Sequence, residues 1–231
     1  MIIIIGIFFM ILSWGISSRL KSKFAKYSQT PLQSGLSGAE VVKLMLADHN
    51  IHDVKITCVP GELTDHYNPS NKSINLSEAV YHGRNAAATA VAAHETGHAV
   101  QHARAYSLLE FRSALVPLQN VSAKVMNFIF MAMLFGGIFL QGALPWNTAL
   151  IIIIGCYTVF TMFSLVTLPV EFDASNRALK WISDRGIVNS NEHGMAKDAL
   201  KWAAMTYVVA ALGSLVTLLY YVMMFMGGSD D

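Results

Sequence analysis

Charge is scarce in this 231-residue chain: only 13% of residues are Asp, Glu, Lys or Arg, while 54% are hydrophobic. That balance excludes an ordinary soluble domain, which carries about twice the charge. The net charge of +1 gives no global footprint for nucleic acid. Cysteine is nearly absent. The two residues, Cys58 and Cys156, fall in a strand-like stretch and an apolar run, which argues against a disulfide framework. They form no C-x-x-C pair, and packing is the expected role of both. Long-period repeats and low-complexity linkers are missing as well.

Long apolar runs are what the chain does have. A bilayer is crossed by about 18–20 apolar residues. Residues 1–17 are almost wholly apolar, and Arg19, Lys21, Lys23 and Lys26 follow them. A cleaved signal peptide carries its positive charges before the apolar core, so this stretch reads as a retained anchor. Residues 122–143 and 148–168 read as a membrane hairpin joined at Leu144-Pro145-Trp146-Asn147. A fourth span covers residues 207–226, and an acidic tail ends the chain. All 16 Lys and Arg residues lie between Arg19 and Lys124 or between Arg177 and Lys201. With four spans both basic stretches share one side, and the positive-inside rule makes it the cytoplasm.

The expected organisation is therefore an anchor (1–17), a cytoplasmic region (18–121), a hairpin (122–168), cytoplasmic helices (169–205) and a final span with its tail (206–231). In the first cytoplasmic region Ser37 and Glu40 form a capping box that opens a helix to about His49. Residues 54–59 alternate as a strand does. Asp65-His66-Tyr67 and Lys72–Leu76 flank a turn at Asn68-Pro69-Ser70-Asn71. A strand there could pair with an extended peptide, or be an ordinary sheet edge. A short helix, Ser107–Leu115, precedes Pro117. Pro169 ends the third span, and helices over residues 170–183 and 192–205 follow.

The centre of the chain is an alanine-rich helix over residues 85–103 that contains His94-Glu95-Thr96-Gly97-His98. His94 and His98 lie one turn apart on one face, and two imidazoles so placed can share a metal ion. H-E-x-x-H on a helix is the arrangement of zinc peptidases, with the glutamate as general base. The helix is apolar enough to raise a fifth span, but its histidines, Glu95 and Arg104 favour burial in protein. His102 stands about 12 Å from His94 along the axis, too far to share an ion with bonds of about 2.1 Å. A metzincin needs a glycine and a third histidine after the motif. The continuation here, Ala99-Val100-Gln101-His102-Ala103-Arg104, has neither at the required positions. Glu171, past the third span and on the same side, is the candidate third ligand; a carboxylate serving the helix dipole is the alternative. His66, Tyr67 and Arg177 are candidates for holding substrate or the developing oxyanion, and each also suits a structural hydrogen bond.

Together, His94-Glu95-Thr96-Gly97-His98 and Glu171-Phe172-Asp173-Ala174-Ser175 resemble the gluzincin pattern of HtpX-type and CAAX-prenyl membrane endopeptidases. Over essentially its full length the chain resembles the YugP-type neutral zinc metallopeptidases of bacterial membranes. The resemblance implies a mainly α, polytopic membrane protein with about four transmembrane helices and a cytoplasmic zincin-like α+β region with a small sheet. It implies one Zn2+ per chain on His94, His98 and Glu171, with Glu95 as catalytic base. The expected activity is hydrolysis of peptide bonds in membrane or membrane-adjacent proteins, at the cytoplasmic face of the bacterial cell membrane. The HtpX-type pattern carries an aspartate four residues after the ligand glutamate, where this chain has Ser175; Asp173 is a partial substitute, although two residues along a helix it is expected to point elsewhere. Two rivals share these residues. One is a membrane scaffold that keeps a structural zinc. The other is a site-2-type intramembrane protease, which needs an aspartate that no span here contains. Oligomeric state has no sequence signal.

Overall fold

The computed structural model of the chain describes residues 1–136 and 145–227. The protein is mainly helical with a small three-stranded sheet: α1 Ile2–Ser28, α2 Gly38–Asp48, β1 Lys55–Val59, β2 His66–Asn68, β3 Ser73–Ser77, α3 Glu78–Tyr81, α4 Ala86–Ala103, α5 Ser107–Gly136, α6 Trp146–Asp184 and α7 Ser190–Gly227.

Two compact units share the long helices. One takes residues 1–13, 111–168 and those from Tyr207 onward; the other takes residues 14–110 and 169–206. In the first, Phe9 packs on Gly213, the Tyr157 and Tyr221 rings lie 5.5 Å apart, and Leu115, Ile129, Leu150 and Ile153 are buried. Phe128 and Phe130 are instead exposed. Cys156 is buried as expected, whereas Cys58 is exposed on β1 and is not a packing residue.

The second unit holds a main apolar core and a small satellite of Tyr27, Ala87 and Ala199. Val41, Val42 and Met45 of α2, Ile74 and Leu76 of β3, Val80 of α3 and the alanines of α4 meet Ile182 and Ala178 of α6. Local chemistry sets its boundaries. Ser37 caps α2 through a complete capping box with Glu40, as the sequence requires. Asn85 caps α4 by accepting from the Ala88 amide (2.9 Å); such a cap contributes about 1 kcal/mol. Gly186, at φ +64°, closes α6 in a Schellman turn, with the Ile187 amide donating to the Ile182 carbonyl at 3.0 Å. The sheet order is β1-β3-β2, with β1 parallel and β2 antiparallel to β3. β2 and β3 form the expected hairpin, and β1 and β2 are the two edge strands.

Among the described residues three helices, not four, are long and apolar enough to cross a membrane: α1, α6 and α7. The expected second span, 122–143, is helix up to Gly136 and then leaves the described residues. In the described part of α5, Gln119, Asn120, Lys124 and Asn127 interrupt the apolar stretch before Gly136. α4 is not one of the three and is buried along most of its length. Pro117 and Pro169 do not end helices; α5 and α6 run through them. A proline deletes one backbone donor, and the long helical pattern on both sides carries the chain across that gap. The polar helix expected over residues 192–205 is likewise continuous with the last apolar stretch in α7. Trp146 and Asn147 open α6 rather than forming a turn, while Leu144 of the expected turn lies outside the described residues.

Candidate metal centre

Two helices build the site, and a glycine sets their distance. A Cβ on Gly97 would stand 2.6 Å from the Ala174 carbonyl oxygen and 3.2 Å from its carbonyl carbon and Cα. Only a residue without Cβ lets α4 lie backbone to backbone against α6 here. Val170, Glu171, Ala174 and Ala178 form the buried stripe that α6 presents at this contact. Glu171 sits one turn before Ala174, so the close approach delivers its carboxylate to the H-E-x-x-H face.

The convergence is tight. Glu171 Oε2 lies 3.2 Å from His94 Nε2 and 3.6 Å from His98 Nε2. The imidazole rings stand 4.8 Å apart at 82°. One ligand atom from each of the three residues lies within 4.8 Å of the others, and this is the one such trio of His, Cys, Asp or Glu among the described residues. Donors sharing a tetrahedral ion at about 2.1 Å are separated by about 3.4 Å, a value that the two measured spacings bracket. The 3.6 Å contact is too long for a good hydrogen bond but matches a shared ion. The donor set, two imidazole nitrogens and one carboxylate, suits zinc. Glu171 is 2% exposed. Burial alone would push its carboxyl up; bonds and charge from His94 and His98 outweigh burial and hold it far below the usual carboxylate range. Burial alone would lower His98, but the carboxylates of Glu171 and Glu95 and the Gln101 amide raise it.

Each imidazole keeps its Nε2 toward Glu171 because Nδ1 is engaged behind it. His94 Nδ1 meets Ser175 Oγ at 3.1 Å, so the serine stands where the HtpX-type pattern has its aspartate. His98 Nδ1 meets Gln101 Oε1 at 2.9 Å. Gln101 was missed in the sequence, although its place three residues after His98 puts it on a neighbouring turn. Asp173 does point away from both ligand histidines, yet it is not idle: its Oδ2 accepts from Gln101 Nε2 (2.7 Å) and from Arg177 Nε (2.5 Å).

Glu95 is nearly buried, and its Oε2 accepts from the Tyr67 backbone amide at 2.9 Å. The edge strand β2 therefore turns one of its outward amides to the candidate base. Side chains that the sequence put forward beside it are engaged as follows. The Tyr67 hydroxyl bonds His102 Nδ1 at 2.7 Å, one helical turn past His98, and burial, with the Asp53 charge behind it, pushes the phenol up to about 12. His66 is exposed and holds the Thr64 carbonyl (2.8 Å) and Asn75 (3.2 Å). Arg177 holds Asp173 and lies over the Tyr106 ring. His102 contributes nothing to the metal trio, as its distance along the helix requires.

A family model described as "Putative neutral zinc metallopeptidase" matches residues 2–226. The "Putative membrane protease YugP" of Bacillus subtilis (strain 168) is 42% identical over 221 residues, 95% of this chain and 94% of its own length. No solved structure matches.

Proposed function

We propose, from the premise that this chain belongs to the neutral zinc metallopeptidase family, that it is a membrane-bound zinc endopeptidase cutting peptide bonds in membrane or membrane-adjacent proteins. One observation carries the reading: Glu171 Oε2 lies between two Nε2 atoms at 3.2 and 3.6 Å, beside an anchored Glu95.

His94, His98 and Glu171 would hold one zinc ion. When bound, zinc supplies Lewis acidity, polarising the scissile carbonyl and making water acidic enough to give up a proton near neutral pH. The chain supplies the rest. Glu95 takes the proton from the attacking water and returns it to the leaving amine. The Tyr67 amide holds Glu95 Oε2, which fixes the direction of the carboxylate without consuming its negative charge. The same strand offers an extended peptide a backbone edge next to the base. His66 and Arg177 remain candidates for gripping substrate, by way of the exposed imidazole and the edge of the guanidinium.

The membrane assignment rests on the three apolar helices and on the relative's description as a membrane protease. α1, α6 and α7 would make the protein multi-pass in the bacterial cell membrane. The confinement of every Lys and Arg to residues 19–124 and 177–201 favours a cytoplasmic site.

The test uses full-length protein in detergent, loaded with zinc, with an unfolded soluble protein and a single-span membrane protein as substrates. Wild type is expected to cleave at least one, and Glu95→Gln neither, at unchanged zinc content. Zinc-replete wild type that cleaves neither would sink the proposal.

A further inference from the structure

Gln101 is completely buried on α4. Its amide nitrogen has two hydrogens, and both are spent on atoms that only accept: the Val170 carbonyl oxygen at 2.8 Å and Asp173 Oδ2 at 2.7 Å. Turning the amide over would set Oε1 against two oxygens that only accept, and would trade two hydrogen bonds for two repulsive contacts at a buried side chain. The amide therefore has one orientation. The same Asp173 oxygen is also held by Arg177 Nε at 2.5 Å.

That orientation leaves Oε1 facing His98 Nδ1 at 2.9 Å. An amide oxygen has no hydrogen to give, so the hydrogen on this bond belongs to Nδ1. A neutral imidazole protonated at Nδ1 carries its lone pair on Nε2, the atom that faces Glu171. His94 is bound differently. Its Nδ1 faces a serine hydroxyl, which both donates and accepts and so selects neither tautomer.

We infer that Gln101 is a positioning residue of the metal centre, locking His98 in the Nδ1–H tautomer so that its Nε2 lone pair is presented to the ion before the ion arrives. The lock runs from Arg177 through Asp173 and Gln101 to His98 and ties α6 to the second histidine of α4. It rests on the zinc-site reading above. It also makes the two histidines unequal: His98 is preset, while His94 must find its tautomer on binding.

The experiment uses full-length protein in detergent micelles with 15N-labelled histidine, wild type beside Gln101→Leu and Ser175→Ala. Long-range 15N–1H correlation of the metal-free proteins, at a pH where the imidazoles are neutral, reads the tautomers. Competition with a chromophoric chelator reads zinc affinity. Wild-type His98 is expected as Nδ1–H, and Gln101→Leu as mixed tautomers with about 10–100-fold weaker zinc binding, the range found for residues behind a metal ligand. Ser175→Ala is expected to leave His98 unchanged and to weaken zinc less. A His98 Nε2–H tautomer in metal-free wild type overturns the proposal even if Gln101→Leu fails to fold. So does equal zinc affinity in wild type and Gln101→Leu. Wild type that binds no zinc overturns the metal-site reading instead, and the tautomer spectrum still decides the role of Gln101.

Discussion

Replacing Gly97 by alanine tests whether helix spacing creates the metal centre. The added Cβ would stand 2.6 Å from the Ala174 oxygen and 3.2 Å from two further backbone atoms. Ordinary contact begins near 3.4 Å, so α4 and α6 must part by about 0.8 Å, the difference between 3.4 and 2.6 Å. Backbone lies on both sides, and no side chain can rotate out of the way. Overpacking of this kind costs about 1–3 kcal/mol. Alanine returns about 1 kcal/mol through its higher helix propensity, so the net loss of stability is small. The site has no such compensation. Glu171 rides on α6 one turn before the contact, and its spacings of 3.2 and 3.6 Å to the histidines open with the helices. A displacement near 1 Å in a catalytic site costs about 10²-fold in rate. Thermal unfolding, zinc competition and peptide hydrolysis should be read on the same samples. Gly97→Ala is expected to lose hydrolysis about 100-fold and to hold zinc more weakly, with modest change in unfolding temperature. Gly194→Ala on α7, where a Cβ meets nothing within 4 Å, gains the same propensity and should leave the site untouched. Wild-type zinc affinity and activity in Gly97→Ala would refute the spacing argument.

Glu95→Gln keeps the shape of the side chain but not a carboxylate that can take a proton; hydrolysis should fall at least 10²-fold while zinc content stays at the wild-type level, and loss of both would make Glu95 structural. Tyr67→Phe deletes the bond to His102, so about 1 kcal/mol of stability should go while hydrolysis stays within a few-fold; a 100-fold loss would put that hydroxyl on the substrate. The folded Tyr67 phenol is raised to about 12 from its ordinary value of 10. Its contribution to stability is therefore complete below pH 10 and lost as pH rises through about 12, so wild type should lose ground to Tyr67→Phe across that window, and identical alkaline limbs would count against the burial of that hydroxyl.

What could be read from the sequence followed local rules. The Ser37–Glu40 box, the strand expected over residues 54–59 and found at 55–59, the hairpin over residues 66–77 and the α4 boundaries all depend on residues a few positions apart, and each is found in place. The meeting of His94, His98 and Glu171 was expected because Glu171 follows the third apolar run on the same side as the H-E-x-x-H helix and because the motifs resemble a gluzincin, and the three are found together. Pro117 and Pro169 misled because a proline's local penalty says nothing about the helical pattern on either side of it. The bond from Gln101 to His98 spans only three residues and was legible at helical spacing, but the contacts that orient its amide reach 69 and 72 residues along the chain and were not. The direction of the Tyr67 hydroxyl, away toward His102, likewise depends on a contact 35 residues distant. Glycine inside the motif was legible as a small residue, but its purpose appears only when the Ala174 backbone is seen against it.

Zinc content of the detergent-purified protein, wild type beside Glu171→Ala, bears most directly on the central claim. The account predicts roughly one zinc per wild-type chain, with three protein ligands holding it, and clear loss of zinc from the variant under mild chelation. Zinc retained equally by both proteins would contradict it, since the carboxylate that stands between His94 and His98 would then have no part in holding the metal.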